Sequence, residues 1–337
     1  MIITFIVLLI AIHAVEEIPL PTFDIDLDQS PETRWNHVLD AKRTELKKFV
    51  LNIEAEYNPF LIKYVANGLI KSGVFSQEII QEMKSGSEYL NLNFQSVVFG
   101  NFMNEFFALC SSLVIRKPQG GIILGRNFDS NYPNSMRELS VDLSFYKSGK
   151  LLYKSTSIAM YYGIVTGMRP EAYAISLNQR NLHDHSYFWE TLGLIEGSKS
   201  ASFAIRYVLE NIDNYDDAKD YLENIPILSG EYICIAGITD GAVITRNRKY
   251  VADLKELDEV TWYIVQTNYD HWLQQPENDD RYNPNIDKLE LIGKEYVDED
   301  QVHRLMTMKP TLNSDTVHTT IMNPLTGYWY AVTWPLE

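Results

Sequence analysis

With 337 residues, 45% of them apolar, the chain is long and apolar enough to bury a large core as one big domain or two small ones. A formal net charge of -16 argues against a nucleic-acid partner, whose phosphates such a surface repels. Two cysteines, Cys110 and Cys234, exclude a disulfide framework, and a single bridge between them would inactivate either one as a nucleophile.

The chain opens on an apolar run from Ile2 to Ile12 followed by the small residue Ala14, which reads as a secretory signal peptide over residues 1–14. The run is too short to span a bilayer unaided. The expected destination is the secretory pathway, lysosomal or extracellular, although no Asn-x-Ser/Thr site offers a handle for sugar-dependent sorting. Glu16 to Pro31 is polar, Pro-containing and without period, and is expected to be a surface loop. From Trp35 the pattern turns helical, with Val38, Leu46, Phe49, Val50 and Ile53 at spacings near 3.6, and a second helical region covers Phe60 to Met83. Phe94 to Leu109, with Glu105 its single charge, is expected to be a buried helix running into Cys110.

At Cys110 the pattern changes to strand. CSSLVIRKPQGGIILGRNFD holds two short aliphatic runs around Lys117-Pro118-Gln119-Gly120-Gly121, a hairpin signal. Further strands are expected in LSVDLSFY, LLYKSTSIA, AYAISLN, EYICIAG, GAVITRN and TWYIVQTN, and helices over Phe188 to Glu210 and Asp216 to Asn224. Antiparallel hairpins with clustered helices give an α+β layered fold, not a βαβ alternation.

A lone cysteine at a helix-to-strand junction is most often a small core residue. Its surroundings change that reading. CSSLVIRKPQGGIILGRNFD, GAVITRNRK, WYIVQTNYDHW and DDR together resemble the acid ceramidase and N-acylethanolamine acid amidase family, within the cholylglycine-hydrolase-like N-terminal nucleophile hydrolases. The resemblance runs from Trp35 onward and is strongest from Cys110 to Arg281.

It implies a four-layer αββα sandwich and self-cleavage between Leu109 and Cys110, giving a helical α chain (15–109) and a catalytic β chain (110–337). The α-amine freed at Cys110 would be the general base for its own thiol. Carried over residue by residue, Arg126 favours thiolate and steadies developing negative charge, and Asp129 accepts from the α-ammonium. Asn268 donates to the oxyanion, and Arg281 serves self-cleavage and site order. Asn127 reads as structural.

Two positions depart from the family pattern. Asn178-Gln179-Arg180 stands where relatives have Glu before Arg, so Gln179 cannot titrate and an acid trigger is less secure. Met160 replaces a glycine and is expected to narrow a pocket wall. His183-Asp184-His185 lacks further ligands at metal spacing and reads as a solvated loop, and Cys234 as a buried strand thiol. No metal or cofactor is expected.

The substrate implied is a fatty-acyl amide, N-acylethanolamine or ceramide. The absence of a cysteine to join the two cleaved chains and the short Ser130 to Glu138 segment lean toward the ethanolamide, while YIVQTNYD reads closer to the ceramidases. Implied partners are a membrane surface presenting the lipid, met by the amphipathic Asn58 to Met83 region, the chain's own non-covalently held α chain, and a lipid-presenting activator protein. Two other readings stay open: a Cys-His hydrolase pairing Cys110 with His271 or His318, and an inactive secreted lipid carrier.

Overall fold

The computed structural model describes residues 16–103, 110–180, 197–277 and 279–336. The signal segment, Leu109 and the His183-Asp184-His185 run lie outside the described residues.

The N-terminal part is helical for the reasons its pattern suggests. It comprises α1 (Asn36–Ala41), α2 (Arg43–Glu56), α3 (Pro59–Ser72), α4 (Gln77–Leu90) and α5 (Phe94–Met103). In α2 the apolar positions Leu46, Val50 and Ile53 are buried along one stripe. Asn58 caps α3 by accepting from the Phe60 amide, Pro59 takes the first turn where no N–H is needed, and Gly73 ends the helix at φ +74°. Ser76 caps α4 in the same manner through the Ile79 amide.

Two sheets follow. The strands are β1 (Ile18–Pro19), β2 (Thr22–Asp26), β3 (Cys110–Arg116), β4 (Ile122–Asp129), β5 (Ser140–Lys147), β6 (Lys150–Ile158), β7 (Thr166–Arg169), β8 (Tyr173–Gln179), β9 (Glu231–Ala236), β10 (Gly241–Arg246), β11 (Val251–Glu256), β12 (Tyr263–Gln266), β13 (Thr316–Asn323) and β14 (Tyr328–Thr333). One sheet runs β1-β14-β13-β4-β3-β12 and the other β11-β10-β9-β8-β7-β6-β5-β2. All pairings are antiparallel except β2 with β5.

The pleat sorts the layers. Val114, Leu124 and Met322 of the first sheet meet Met168, Ala174, Tyr232 and Cys234 of the second. The alternate residues Leu113, Ile115, Ile123 and Ile321 pack outward on two further helices, α9 (Tyr282–Ile292) and α10 (Glu299–Thr307). The outer face of the second sheet is covered by the N-terminal helices together with α7 (Ala201–Asn211) and α8 (Tyr215–Asn224). The result is the four-layer αββα sandwich.

Several elements differ from the sequence reading. The Glu16 to Pro31 stretch is not a loop throughout: β1 and β2 are edge strands, one on each sheet. Pro19 is tolerated because an edge strand needs no donor on its open side. Leu139 closes a short helix, α6 (Pro133–Leu139), and the strand begins at Ser140. The helical region read over Phe188 to Glu210 holds α7 only from Ala201, residues 181–196 lying outside the described residues, and of Phe94 to Leu109 the described helix is α5. Strands β7, β11, β13 and β14 and helices α9 and α10 were not read from the sequence; in β13 the buried positions carry Thr and His, which hides the apolar alternation of a core strand.

Candidate active site

Cys110 is the first residue of β3, fully buried, with its thiol free. In register it faces Phe128 of β4, while Ser111 faces Asn127 and Ser112 faces Arg126. Its backbone N–H donates to Asn268 Oδ1 at 2.5 Å. Arg281 Nη2 donates to that same oxygen at 3.0 Å, Nη1 donates to Asp129 Oδ2 at 3.0 Å, and Ser111 Oγ lies 3.4 Å from Nη1. Cys110, Asp129, Asn268 and Arg281 are thus one connected set, drawn from β3, the end of β4, the turn after β12 and the start of α9.

Arg126 enters from the other side of the sheet pleat. It is fully buried between the sheets, where Nη1 donates to Asn178 Oδ1 at 2.5 Å and Nη2 to the Leu177 carbonyl at 2.6 Å. Both acceptors are neutral, and among the described residues no carboxylate pairs with Arg126, so its charge is not cancelled by a direct partner. Burial pushes the Cys110 thiol up, and the Arg126 charge, with a smaller contribution from Arg281, pulls the other way. Burial also raises the Asp129 carboxyl to about 6 against the pull of Arg281. Its Oδ1 is buried without a hydrogen-bond partner.

Asn127 points outward and holds the Met306 and Thr311 carbonyls through Nδ2, a structural role. Gln179 is partly buried, faces Glu231 in register, and contributes its carbonyl to Asn268 Nδ2 at 2.8 Å. Met160 sits at φ +64°, a left-handed conformation that costs a non-glycine residue about 1 kcal/mol or more. That backbone is the physical reason a glycine suits this position, and the Met160 carbonyl is held there by Asn101 Nδ2 at 3.0 Å.

Sequence reasoning did not single out Asn178, which ties the two sheets together at the site. Its Nδ2 lies 3.0 Å from the Gln266 carbonyl, 3.3 Å from that of Thr267 and 3.4 Å from that of Cys110, while its Oδ1 also accepts from Ser112 Oγ at 2.8 Å. The available signal was Ser176 and Asn178 spaced by two on an otherwise apolar strand. Also missed were Asp279, forked onto Arg281, and Asp270, which takes a two-point bond from Arg180 and one from the Tyr232 hydroxyl.

Neither histidine forms a dyad with Cys110. His318 pairs in register with Phe128, which separates it from Cys110 by two strand spacings, about 10 Å. Its ring stacks on Phe128, both nitrogens lack partners, and burial with the nearby Arg126 charge pushes it down to about 3. His271 lies 3.5 Å from Asp253 instead. One residue beyond Asp129, a cavity of about 250 Å³ opens between α2, α5 and α6, walled by Phe49, Ile53 and Met136 and rimmed by Glu56, Tyr57 and Tyr132. A narrower space sharing Phe49, Ile53 and Gly100 leads on to Met160 and Tyr161.

Two facing, mainly antiparallel sheets between helical layers, with a cysteine heading a central strand and Arg, Asp and Asn around it, define the fold of the N-terminal-nucleophile hydrolases. The family model described as linear amide C–N hydrolases, choloylglycine hydrolase family, matches residues 110–294, and one described as the beta subunit of N-acylethanolamine-hydrolyzing acid amidase matches residues 18–72, upstream of Cys110. The chain belongs to the choloylglycine hydrolase family of linear amide C–N hydrolases and is an amidohydrolase. It is 30% identical to the N-acylethanolamine-hydrolyzing acid amidase of Rattus norvegicus, over 90% of this chain and 85% of that one. It is 32% identical to the acid ceramidase of Bos taurus, over 92% of this chain and 85% of that one. The solved structure of the Caenorhabditis elegans N-acylethanolamine-hydrolyzing acid amidase ortholog superposes with a TM-score of 0.61 at 32% identity, covering 68% of this chain and all of that one.

Proposed function

We propose that the chain cuts itself between Leu109 and Cys110 and then uses Cys110 to hydrolyse fatty-acyl amides, with N-acylethanolamines preferred to ceramide. The observation that carries this reading is the bond from the Cys110 nitrogen to Asn268 Oδ1, in a network shared with Arg281 and Asp129. That nitrogen is the atom that must leave in self-cleavage. The thiol adds to the Leu109 carbonyl, its proton passes to the departing nitrogen, and water hydrolyses the resulting thioester to leave a free carboxyl at Leu109 and a free amine at Cys110. Asn268 then keeps the new amine beside its own thiol.

In turnover the amine takes the thiol proton, the thiolate attacks the acyl carbonyl, and the protonated amine gives its proton to the leaving amine; water, deprotonated by the same amine, then hydrolyses the acyl thioester to release the fatty acid and restore the thiol. Arg126, held by neutral acceptors, keeps its full charge for the thiolate and the oxyanion. Oxyanion donation by Asn268 Nδ2 requires the Gln179 carbonyl to give way to the substrate oxygen. Asp129 and Arg281 hold the nitrogen end in register.

The apolar cavity one residue past Asp129 suits an acyl chain, and its polar rim of Glu56 and Tyr132 suits a small hydroxylated amine. Phe60, Leu61 and Tyr64 at the head of α3 are 84%, 47% and 77% exposed and support docking on a lipid surface. The N-terminal part remains attached through β1, β2 and the buried fork of Arg206 on Glu82. Release into the secretory pathway follows from the signal segment.

The test is N-terminal sequencing of purified chain held at acidic and at neutral pH. A fragment beginning Cys-Ser-Ser-Leu is expected, and none from Cys110→Ala. Full-length chain that persists under both conditions yet hydrolyses a fatty-acyl ethanolamide overturns the mechanism. Side-by-side assays on ceramide and the ethanolamide decide the substrate.

A further inference from the structure

We infer that Asp279 is a positioning residue that governs how strongly Arg281 pairs with Asp129, by engaging the arginine in a two-point fork that leaves Asp129 a single bond. The inference rests on the role given above to Asp129 in self-cleavage.

Asp279 Oδ1 accepts from Arg281 Nε and Oδ2 from Nη2, both at 2.9 Å. Asp129 receives only Nη1, on Oδ2. A planar guanidinium binds a carboxylate best through two parallel bonds, and in this site that mode belongs to Asp279. Asp279 is nearly buried and fixed two residues ahead of Arg281, where the Arg281 amide also approaches its Oδ1 at 3.4 Å. The fork is therefore a local feature, set before Asp129 is met.

The groups that face Asp129 are Arg281 at the start of α9, Arg126 on its own strand, Cys110 on β3, and Asn313 with Thr316 at the head of β13, while Asp279 reaches it through Arg281. One cation, Arg281, serves two carboxylates, so each neutralises part of what the other could use. Asp129 keeps Oδ1 without a hydrogen-bond partner, and burial raises its carboxyl to about 6. Removing the Asp279 charge does two things with the same sign. It releases the guanidinium to Asp129, and it removes a negative charge that disfavours a second one nearby.

The experiment follows the self-cleavage rate of the full chain against pH in the wild type, Asp129→Asn, Asp279→Asn and Asp279→Glu. Asp129→Asn abolishes the inflection that belongs to Asp129. Asp279→Asn moves that inflection about one pH unit lower, the size expected for an arginine pairing newly tightened on a carboxyl. Asp279→Glu, which keeps the charge, leaves it in place. An unmoved inflection in Asp279→Asn overturns the inference while leaving the cleavage reading intact. An inflection that survives Asp129→Asn overturns the role of Asp129 itself. Asp279→Ser is read in the same way if the Asn variant does not fold, and failure of both neutral variants to fold makes Asp279 a residue of the fold and ends the proposal.

Discussion

Cys110 and Cys234 are both fully buried, both free and both on strands that contribute to the space between the sheets, yet their surroundings differ in kind. Burial raises both thiols, Cys234 to about 12. Around Cys234 the opposing influence comes first from the Ser112 hydroxyl, then from the Arg126 charge and the Ser176 hydroxyl, and its neighbours on β9 are apolar. Around Cys110 it comes first from Arg126, then from the Asp129 backbone amide and Arg281, and the Asn268 side-chain amide holds the backbone nitrogen. Depth of burial does not distinguish a nucleophile from an inert thiol. Positive charge as the leading opposing influence, joined by a second guanidinium, and a held nitrogen do.

The sharpest way to break this comparison is to remove each thiol. Cys110→Ala is expected to lose self-cleavage and at least about a thousandfold in amide hydrolysis, whereas Cys234→Ala retains both; equal losses in N-terminal sequencing and turnover assays would make the contrast meaningless. Arg126 acts on both thiols, so Arg126→Lys asks which of them depends on the fork. About a hundredfold loss of turnover is expected, because a lysine cannot reach Asn178 Oδ1 and the Leu177 carbonyl together. Alkylation rates should fall at Cys110 more than at Cys234.

Asp129 sharpens the same contrast through stability. Its folded carboxyl is raised above its unfolded value, so the folded chain binds the proton more tightly. The stability it contributes is full below about pH 4 and is lost as pH rises through about 6. In the uncut Cys110→Ala background, Asp129→Asn is therefore expected to gain about 2–3 kcal/mol relative to its parent between about pH 4 and pH 7, read by denaturant unfolding at the two values. No pH dependence of the difference would show that burial does not burden this carboxyl.

His318 offers the smallest effect and the opposite sign. Its folded value lies below its unfolded one, so the stability it contributes is present above about pH 6.5 and is lost as pH falls toward 3. His318→Phe keeps a ring on Phe128, removes two unpartnered nitrogens, and should stabilise the chain by about 2 kcal/mol more at pH 5 than at pH 7.5. Turnover should survive, and its loss would bring back the Cys-His reading of Cys110.

Much of the site was legible because its residues lie in short motifs whose neighbours constrain them. Cys110, Arg126 and Asp129 share one hairpin, so strand register alone brings them close. Asn268 and Arg281 are 13 residues apart, and their meeting at one oxygen depends on where α9 begins. Asn178 and Asp279 were not legible as partners because an amide on a strand and an acid in a polar stretch look alike wherever they occur. Their significance is a matter of which guanidinium they face.

The fold shows the same division. Amphipathic period, caps at Asn58 and Ser76, and the glycine-containing hairpin after Arg116 specify local elements, since each depends on a few adjacent residues. The edge strands β1 and β2 and the polar strand β13 depend on distant partners, with β2 laid parallel to β5 more than a hundred residues away. The sequence by itself determined that Cys110 heads a strand among residues able to activate it. Tertiary structure decided that its nitrogen is held by Asn268, that Arg126 keeps an unneutralised charge, and that Arg281 is shared between two acids, because charge and hydrogen bonding are set by distance in space and not along the chain.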